Sequence, residues 1–235
     1  MPDSAAASSI FSRAWRLLTR NWVIIVPSIV IGLAVNFFAH ILEGPDAGSL
    51  ADAGSGAAMY AFYMTTIVLV VVQILGSVLS IAFTTGMAKT AWTGEKARLS
   101  DGLACFARHP WSAIGSMVLL LLIGFIAAAL IVPTFFISFI AYVVFFIYTM
   151  PAVFVGDRSP TDAIVESCTL AAQNLRTTIL VVLLILTVAL GAWFLARLAG
   201  AVPYAGPFFE AVFTYTAVAY GTLVVVGEYL QLRRT

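Results

Sequence analysis

Long apolar runs dominate this chain, and six of them are long enough to cross a lipid bilayer. The hydrocarbon core of a bilayer is about 30 Å thick, so a spanning helix needs about 20 apolar residues in succession. The six runs are Val23–Leu42, Tyr60–Thr84, Trp111–Val132, Thr134–Val155, Thr177–Leu198 and Phe208–Leu230. Their apolar residues are continuous and do not alternate with polar ones, which favours helices over the strands of a membrane barrel. We therefore predict one polytopic membrane domain over residues 1–235, with an all-α fold of six transmembrane helices.

Three short amphipathic stretches separate these runs into pairs. In each stretch, apolar or small residues recur at spacings of three and four, as on one face of a helix. The stripes are Phe11, Ala14, Trp15 and Leu18; Leu99, Gly102, Leu103 and Phe106; and Ile164, Ser167, Cys168 and Ala171. Aligning Asn21, His109 and Asn174 brings the stripes into register. We predict interfacial helices over Phe11–Arg20, Ser100–Arg108 and Pro160–Asn174, and hence three pseudo-repeats of one interfacial helix and two spans.

The separation of the third and fourth runs depends on Pro133. Proline has no amide hydrogen for the helical ladder, and it disfavours helix at the residue before it. Cytoplasmic loops collect Lys and Arg. With six spans and a cytoplasmic N-terminus, eleven of the twelve cations lie inside and only Arg197 lies outside, whereas a single crossing by residues 111–155 would give eight inside and four outside. We therefore predict a hairpin at Pro133, with both termini and all three interfacial helices in the cytoplasm.

Composition agrees with lipid as the solvent and limits the partners. The chain is 62% apolar and only 10% charged, where soluble domains carry about a quarter charged residues. A net charge of +1 gives no electrostatic support for nucleic acid, and the two cysteines form no zinc or disulfide motif. We expect membrane lipids as partners and no cofactor or metal. Small residues four apart predict close helix packing, within the bundle or in a homo-oligomer: Gly76 and Ser80; Gly124 and Ala128; Ala192, Ala196 and Gly200; Ala217 and Gly221.

Several sequence motifs accompany this pattern: an amphipathic start, FSRAWRLLTRNW; the break IVPTFF; Met150-Pro151-Ala152 near the inner end of the fourth run; and SPTDAIVESCTLAAQN before the fifth. With these motifs the chain resembles a broad group of prokaryotic six-helix membrane proteins of unknown function. It is similar to the membrane domain fused to some glycerophosphodiester phosphodiesterases. The hydrolase domain of those fusions, with its acidic metal ligands, is not among these residues. The resemblance therefore implies a fold and a bacterial-type inner membrane, and no reaction.

Ionisable residues near lipid are the candidates for a binding site, because burying a charge in hydrocarbon is costly. Arg197 and Glu210 lie near the outer ends of the fifth and sixth runs. They form either an ion pair or two groups that reach the headgroups separately, or else Arg197 binds a lipid headgroup or another anion. His40, near the outer end of the first run, is either an interfacial or packing residue, or a ligand or proton relay. Glu228, at the inner end of the sixth run, is interpreted as a solvated or locally paired carboxylate.

No HExxH, GxSxG or P-loop motif occurs, so common zinc, serine and nucleotide chemistries have no support. We predict a non-enzymatic bundle of the cell inner membrane, in lipid or envelope handling or as a scaffold. A small transporter is the first alternative and an intramembrane enzyme acting on lipid is the second. A transporter would require a broken helix or a polar stripe at mid-membrane.

The predicted topology can be tested by labelling single cysteines introduced at five sites. The order outside, inside, inside, outside, inside is expected at Ser49, Ser100, Ser159, Ala205 and Thr235, because only this arrangement keeps the cations in the cytoplasm. An outside result at Ser159 would contradict the hairpin at Pro133.

Overall fold

A computed structural model describes residues 2–43, 56–94, 96–134, 136–200 and 206–234, all of it helix, turn or loop. The predicted labelling sites Ser49, Ala205 and Thr235 lie outside these residues. The helices, in chain order, are α1 (Pro2–Arg20), α2 (Ile25–Glu43), α3 (Gly56–Trp92), α4 (Leu99–Arg108), α5 (Pro110–Ala129), α6 (Ile137–Phe146), α7 (Thr149–Phe154), α8 (Pro160–Gln173), α9 (Leu175–Gly200) and α10 (Gly206–Leu232).

Five segments of this structure are long and apolar enough to cross a membrane: Tyr63–Trp92, Pro110–Ala129, Ile137–Phe154, Leu175–Gly200 and Phe208–Leu232. A sixth is added if the bent pair Ser9–Arg20 and Trp22–Val35, which meet at 91°, counts as one span. Many large apolar side chains point outward, including Trp111 at 81% exposure and Val132 at 84%. Apolar surface on this scale would aggregate in water, whereas lipid solvates it. The prediction of an all-helical membrane protein is confirmed at this level.

The three short helices α1, α4 and α8 each end at a joint of the same shape. The joint residues are Asn21, His109 and Asn174, and their (φ, ψ) angles are (−123°, 52°), (−134°, 44°) and (−124°, 37°). The amide of each joint residue donates to a carbonyl of the helix that ends there, over 2.9–3.1 Å, and its carbonyl accepts from an amide three or four residues further on, over 2.9–3.0 Å. These are the three positions that the sequence alignment placed in register.

Packing of the short helices follows one rule. Helix α4 packs on α3, α8 packs on α7 and α1 packs on α10, while α3, α7 and α10 contact one another. Seven residues before each joint stands a small buried residue, which is Ala14, Gly102 or Ser167. At Gly102 the backbone of Phe83 is so close that a β-carbon would clash with it. We call the end of the bundle that carries α1, α4 and α8 the basic end, and the opposite end the distal end.

Helix α3 is longer than predicted. The second run was expected to end at Thr84, but the helix continues to Trp92 and has 37 residues, about 55 Å. Its last turns pass beyond the thickness of a hydrocarbon core, where α4 packs against them. The Trp92 indole N–H donates to the carbonyl of Leu223 on α10 (2.9 Å). Tertiary contacts therefore extend a helix whose apolar run ends earlier.

Helices α5 and α6 form an antiparallel pair around the predicted break. The Tyr142 hydroxyl donates to the carbonyl of Leu120, and the Ser138 hydroxyl donates to that of Ala127, both over 2.9 Å. Residues later in α6 thus meet residues earlier in α5, as a hairpin requires. Helix α5 ends at Ala129 and α6 begins at Ile137, so Pro133 lies between the two helices.

The predicted fourth span, Thr134–Val155, is not one continuous helix, because the chain breaks before Tyr148 and separates α6 from α7. Residues 147 and 148 form the break, and the Ile147 carbonyl also lacks its usual donor because Pro151, four residues later, has no amide hydrogen. A side chain from α8 satisfies two backbone groups beside the break. The Ser167 hydroxyl accepts a hydrogen bond from the Tyr148 amide (3.1 Å) and donates one to the Phe145 carbonyl (2.7 Å).

Close packing at Gly102 predicts that one added methyl group lowers the stability of the protein more there than at an open position of another helix. Gly102→Ala should lower the free energy of unfolding in detergent by about 1–3 kcal/mol, because the backbone of Phe83 cannot yield as a flexible side chain would. Gly191→Ala is the matched control, since no atom lies within 4 Å of the position of its added carbon. Thermal melting of both variants measures the difference. Equal melting temperatures would contradict the described contact between α4 and α3.

Candidate functional site

An apolar cleft of about 430 Å³ lies among four of the long segments. Its wall consists of Ile81 and Thr85 from α3; Val143, Ile147, Met150 and Pro151 from α6, α7 and the bend between them; Ile185, Ala189, Ala192 and Trp193 from α9; and Thr214, Ala217, Val218, Gly221, Thr222 and Val225 from α10. At the edge of the cleft, Trp193 is 57% exposed and Val218 is also exposed. The cleft therefore opens on the surface that lipid would cover.

The dimensions of this cleft suit a chain-like apolar ligand. Its volume falls within the range of about 300–1,000 Å³ that is usual for small-molecule sites. Along α10 it runs from Thr214 to Val225, about 16 Å, which is about half of a 30 Å hydrocarbon core. One leaflet of a bilayer has that depth, so an acyl chain of one leaflet would match the cleft in length and polarity.

The end of the cleft that lies nearer the basic end, which we call the deep end, carries one hydroxyl group without a hydrogen-bond partner. Thr85 is completely buried, and its hydroxyl has no hydrogen-bond partner within the described chain. A buried hydroxyl without a partner costs about 1–3 kcal/mol. Thr85 therefore marks a position where a bound molecule could supply the missing contact.

Arg197, a candidate from the sequence, lies beside the mouth of the cleft. Its guanidinium carbon is 5.6 Å from the ring centroid of Trp193, one helical turn earlier on α9. This cation–π contact places the only cation near the distal end next to a residue of the cleft wall. Both Arg197 and Glu210 are exposed, and no ion pair joins them in the described structure. The side chain of His40, the third candidate, lies outside the described residues.

Glu228 has surroundings that its sequence position did not predict. It is only 1% exposed, and neither carboxyl oxygen has a hydrogen-bond partner in the described chain. The interpretation of Glu228 as a solvated or locally paired carboxylate is therefore wrong. Arg233, which follows it, lies instead 3.8 Å from Glu166 of α8. The reason is tertiary: α3 and α7 pack on α10, and the Trp92 ring of α3 lies against Gly227, next to Glu228.

Glu166 is the centre of the polar network at the basic end. Its carboxylate accepts a hydrogen bond from the Tyr229 hydroxyl (2.7 Å) and one from Arg158 (2.5 Å), in addition to the nearby Arg233. The bond to Glu166 raises the pKa of Arg158. Sequence reasoning missed this network, because its members are far apart along the chain. It ties α8 to the end of α10.

A second, polar cleft of about 320 Å³ lies at the basic end and is lined by Lys89, Cys105, Arg108 and His109, among others. Burial raises the pKa of Cys105 to about 11, and its thiol donates weakly to the Phe154 carbonyl (3.8 Å). The thiolate is the reactive form of cysteine. Cys105 is therefore a protonated, partly buried packing residue at neutral pH.

These features define an all-helical membrane bundle with a lateral apolar cleft and a buried carboxyl group. No protein-family model, curated protein or solved structure matches the chain. The resemblance to the phosphodiesterase-linked membrane domains thus stays a prediction, and function must be argued from the geometry.

Proposed function

We propose that this protein is a non-enzymatic lipid-binding membrane protein that takes one acyl chain into the cleft. The observation that carries the proposal is the cleft itself, which is apolar, open toward lipid and about one leaflet deep. Bilayer lipid surrounds such an opening at high concentration. Acyl chains are thus the apolar ligands most available to fill it.

The headgroup of that lipid is proposed to be anionic and to bind Arg197. An arginine fork suits a phosphate, because two parallel N–H groups can meet two oxygens. The Trp193 ring beneath the guanidinium orients it at the mouth of the cleft. Without an ion pair to Glu210, the Arg197 side chain keeps its donors for a ligand.

The proposed setting is a bacterial inner membrane crossed six times, with the basic end in the cytoplasm. Eleven of the twelve cations lie toward the basic end, which supports this orientation. Helices α1, α4 and α8 would then lie along the inner surface, with Trp15, Leu103 and Val165 as exposed apolar contacts to lipid. The shared joints and packing of these helices support three pseudo-repeats. The cleft, which runs from Thr214 to Val225 of the span Phe208–Leu232, would then lie at mid-membrane and open sideways to lipid.

A small transporter is a second candidate, favoured by one observation. The span formed by α6 and α7 is broken before Tyr148, and the hydroxyl of Tyr148 lies close to the buried carboxyl of Glu228. Broken helices beside ionisable groups are a recurring feature of transporter sites. The two functions are compatible, because a protein that binds a lipid in the cleft could also transport it.

Filling the cleft should displace the lipid. For Ala192→Phe we expect a several-fold loss of tightly bound phospholipid per protein, since the added ring would occupy the space of the acyl chain. Gly191→Phe is the control, because the neighbouring position on α9 faces open space. Native mass spectrometry after mild detergent extraction measures bound lipid. Equal lipid retention in both variants would overturn the acyl-chain site.

The binding of the headgroup to Arg197 can be tested by the same native mass spectrometry of bound lipid. Arg197→Gln should lower the preference for anionic over zwitterionic lipid by about tenfold or more, which corresponds to the loss of a charged hydrogen bond. Arg176→Gln, at the opposite end of α9, should leave the preference unchanged. If Arg197→Gln binds the same lipids as the unaltered protein, the headgroup does not bind Arg197.

A further inference from the structure

The buried carboxyl of Glu228 lies in dry, tightly packed surroundings. Leu223, Val224 and Val226, in the preceding turns of α10, are buried, and Gly227 packs so closely on the Trp92 ring that a β-carbon would clash with it. Glu228 lines none of four clefts found among the described residues, and its side chain is only 1% exposed. Water therefore has no described space in which to solvate a charge on Glu228.

No cation neutralises Glu228 within the described chain. On α8, the Glu166 carboxylate is already engaged by Tyr229 and Arg158. On α1, the Arg13 guanidinium lies over the Trp92 ring, 4.8 Å from its centroid, and does not contact Glu228. The one ionisable group close to the carboxyl is Tyr148, at the break between α6 and α7. A bare carboxylate here would lack the partners that a buried charge needs.

Two buried hydroxyl groups, from Tyr148 and Thr178, lie on the side of this carboxyl that faces α9. The Tyr148 hydroxyl lies close to Glu228 and shares a hydrogen bond with the Thr178 hydroxyl of α9 (3.1 Å). Thr178 is completely buried and lies in the first turn of α9, two residues after the exposed Arg176. Hydroxyl groups both donate and accept, so the Tyr148 hydroxyl can turn its hydrogen toward either Thr178 or the nearby carboxyl group.

We propose that Glu228 is a proton-binding site, held beside the Tyr148 hydroxyl in the closed interior of the bundle. The carboxylate takes up one proton and becomes a neutral acid, and no other bond forms or breaks. The proposal goes beyond lipid binding and does not depend on what occupies the cleft.

Proton release from this site has a mechanical consequence. Charging Glu228 would require water, which can enter only if α7 moves away from α10. Met150 on α7 and Val225 on α10 both belong to the cleft wall, within three residues of Tyr148 and Glu228 respectively. Loss of the proton would therefore loosen the deep end of the cleft, whereas binding would close it.

Infrared spectroscopy of the full chain in lipid vesicles tests the site directly. At neutral pH the unaltered protein should show the C=O stretch of a protonated carboxylic acid, and the band should vanish as the pH is raised. Glu228→Gln should lack this band, because the amide is a neutral substitute of the same shape. Glu166→Gln is the matched control and should keep it. Tyr148→Phe should keep the band but shift its frequency, because the hydroxyl that lies near the carboxyl is gone.

Two further measurements guard against variants that fail to fold. Carbon-13 in the glutamate carboxyl groups of the unaltered protein should shift the band, whereas the same label in aspartate should not. The melting temperature of the unaltered protein should fall by several degrees between mildly acidic and mildly alkaline pH, and that of Glu228→Gln by less than half as much. The proposal is overturned if the band is absent at neutral pH, persists in Glu228→Gln or does not shift with labelled glutamate. An equal fall in melting temperature would overturn it as well.

Discussion

Hydrocarbon offers no hydrogen bonds, and the rest of this structure depends on that constraint. Every backbone amide and carbonyl inside a bilayer must find its partner within the protein. Where the ladder is interrupted between α6 and α7, the hydroxyl of Ser167 satisfies one amide and one carbonyl beside the break. Helix α8 therefore supplies hydrogen-bonding groups that the span formed by α6 and α7 lacks. This contact also fixes Tyr148, whose hydroxyl shares a hydrogen bond with Thr178 of α9 and lies close to the carboxyl of Glu228 on α10.

The two ends of the bundle differ because the short helices occupy only one of them. At the basic end, the small residues Ala14, Gly102 and Ser167 let α1, α4 and α8 pack directly on the long helices. The interior there is closed, and Glu228 is sealed within it. Among the helices that the structure describes, no short one packs between α6 and the pair α9 and α10. The cleft lies in that space, so one packing rule accounts for both the buried carboxyl and the open groove.

Much of the fold was predictable from the sequence, because long apolar runs and three-four spacing report local helical structure. The three joints were predicted as well, through the alignment of Asn21, His109 and Asn174. Features that depend on distant contacts were not. The role of Ser167 at the break and the burial of Glu228 arise only when α7, α8 and α10 meet, and the cleft combines helices far apart in sequence. Arg197 was a candidate from charge alone, but its place beside the cleft required the structure.

The central claim is that the cleft is a lipid site, and the most direct measurement is an electron cryo-microscopy map of the protein in lipid nanodiscs. The account predicts a continuous, elongated density between α6, α9 and α10, reaching from the level of Thr85 to Trp193. A compact headgroup density should adjoin the guanidinium of Arg197. A cleft closed by its own side chains, or one with no density beyond that of the surrounding bilayer, would contradict the account.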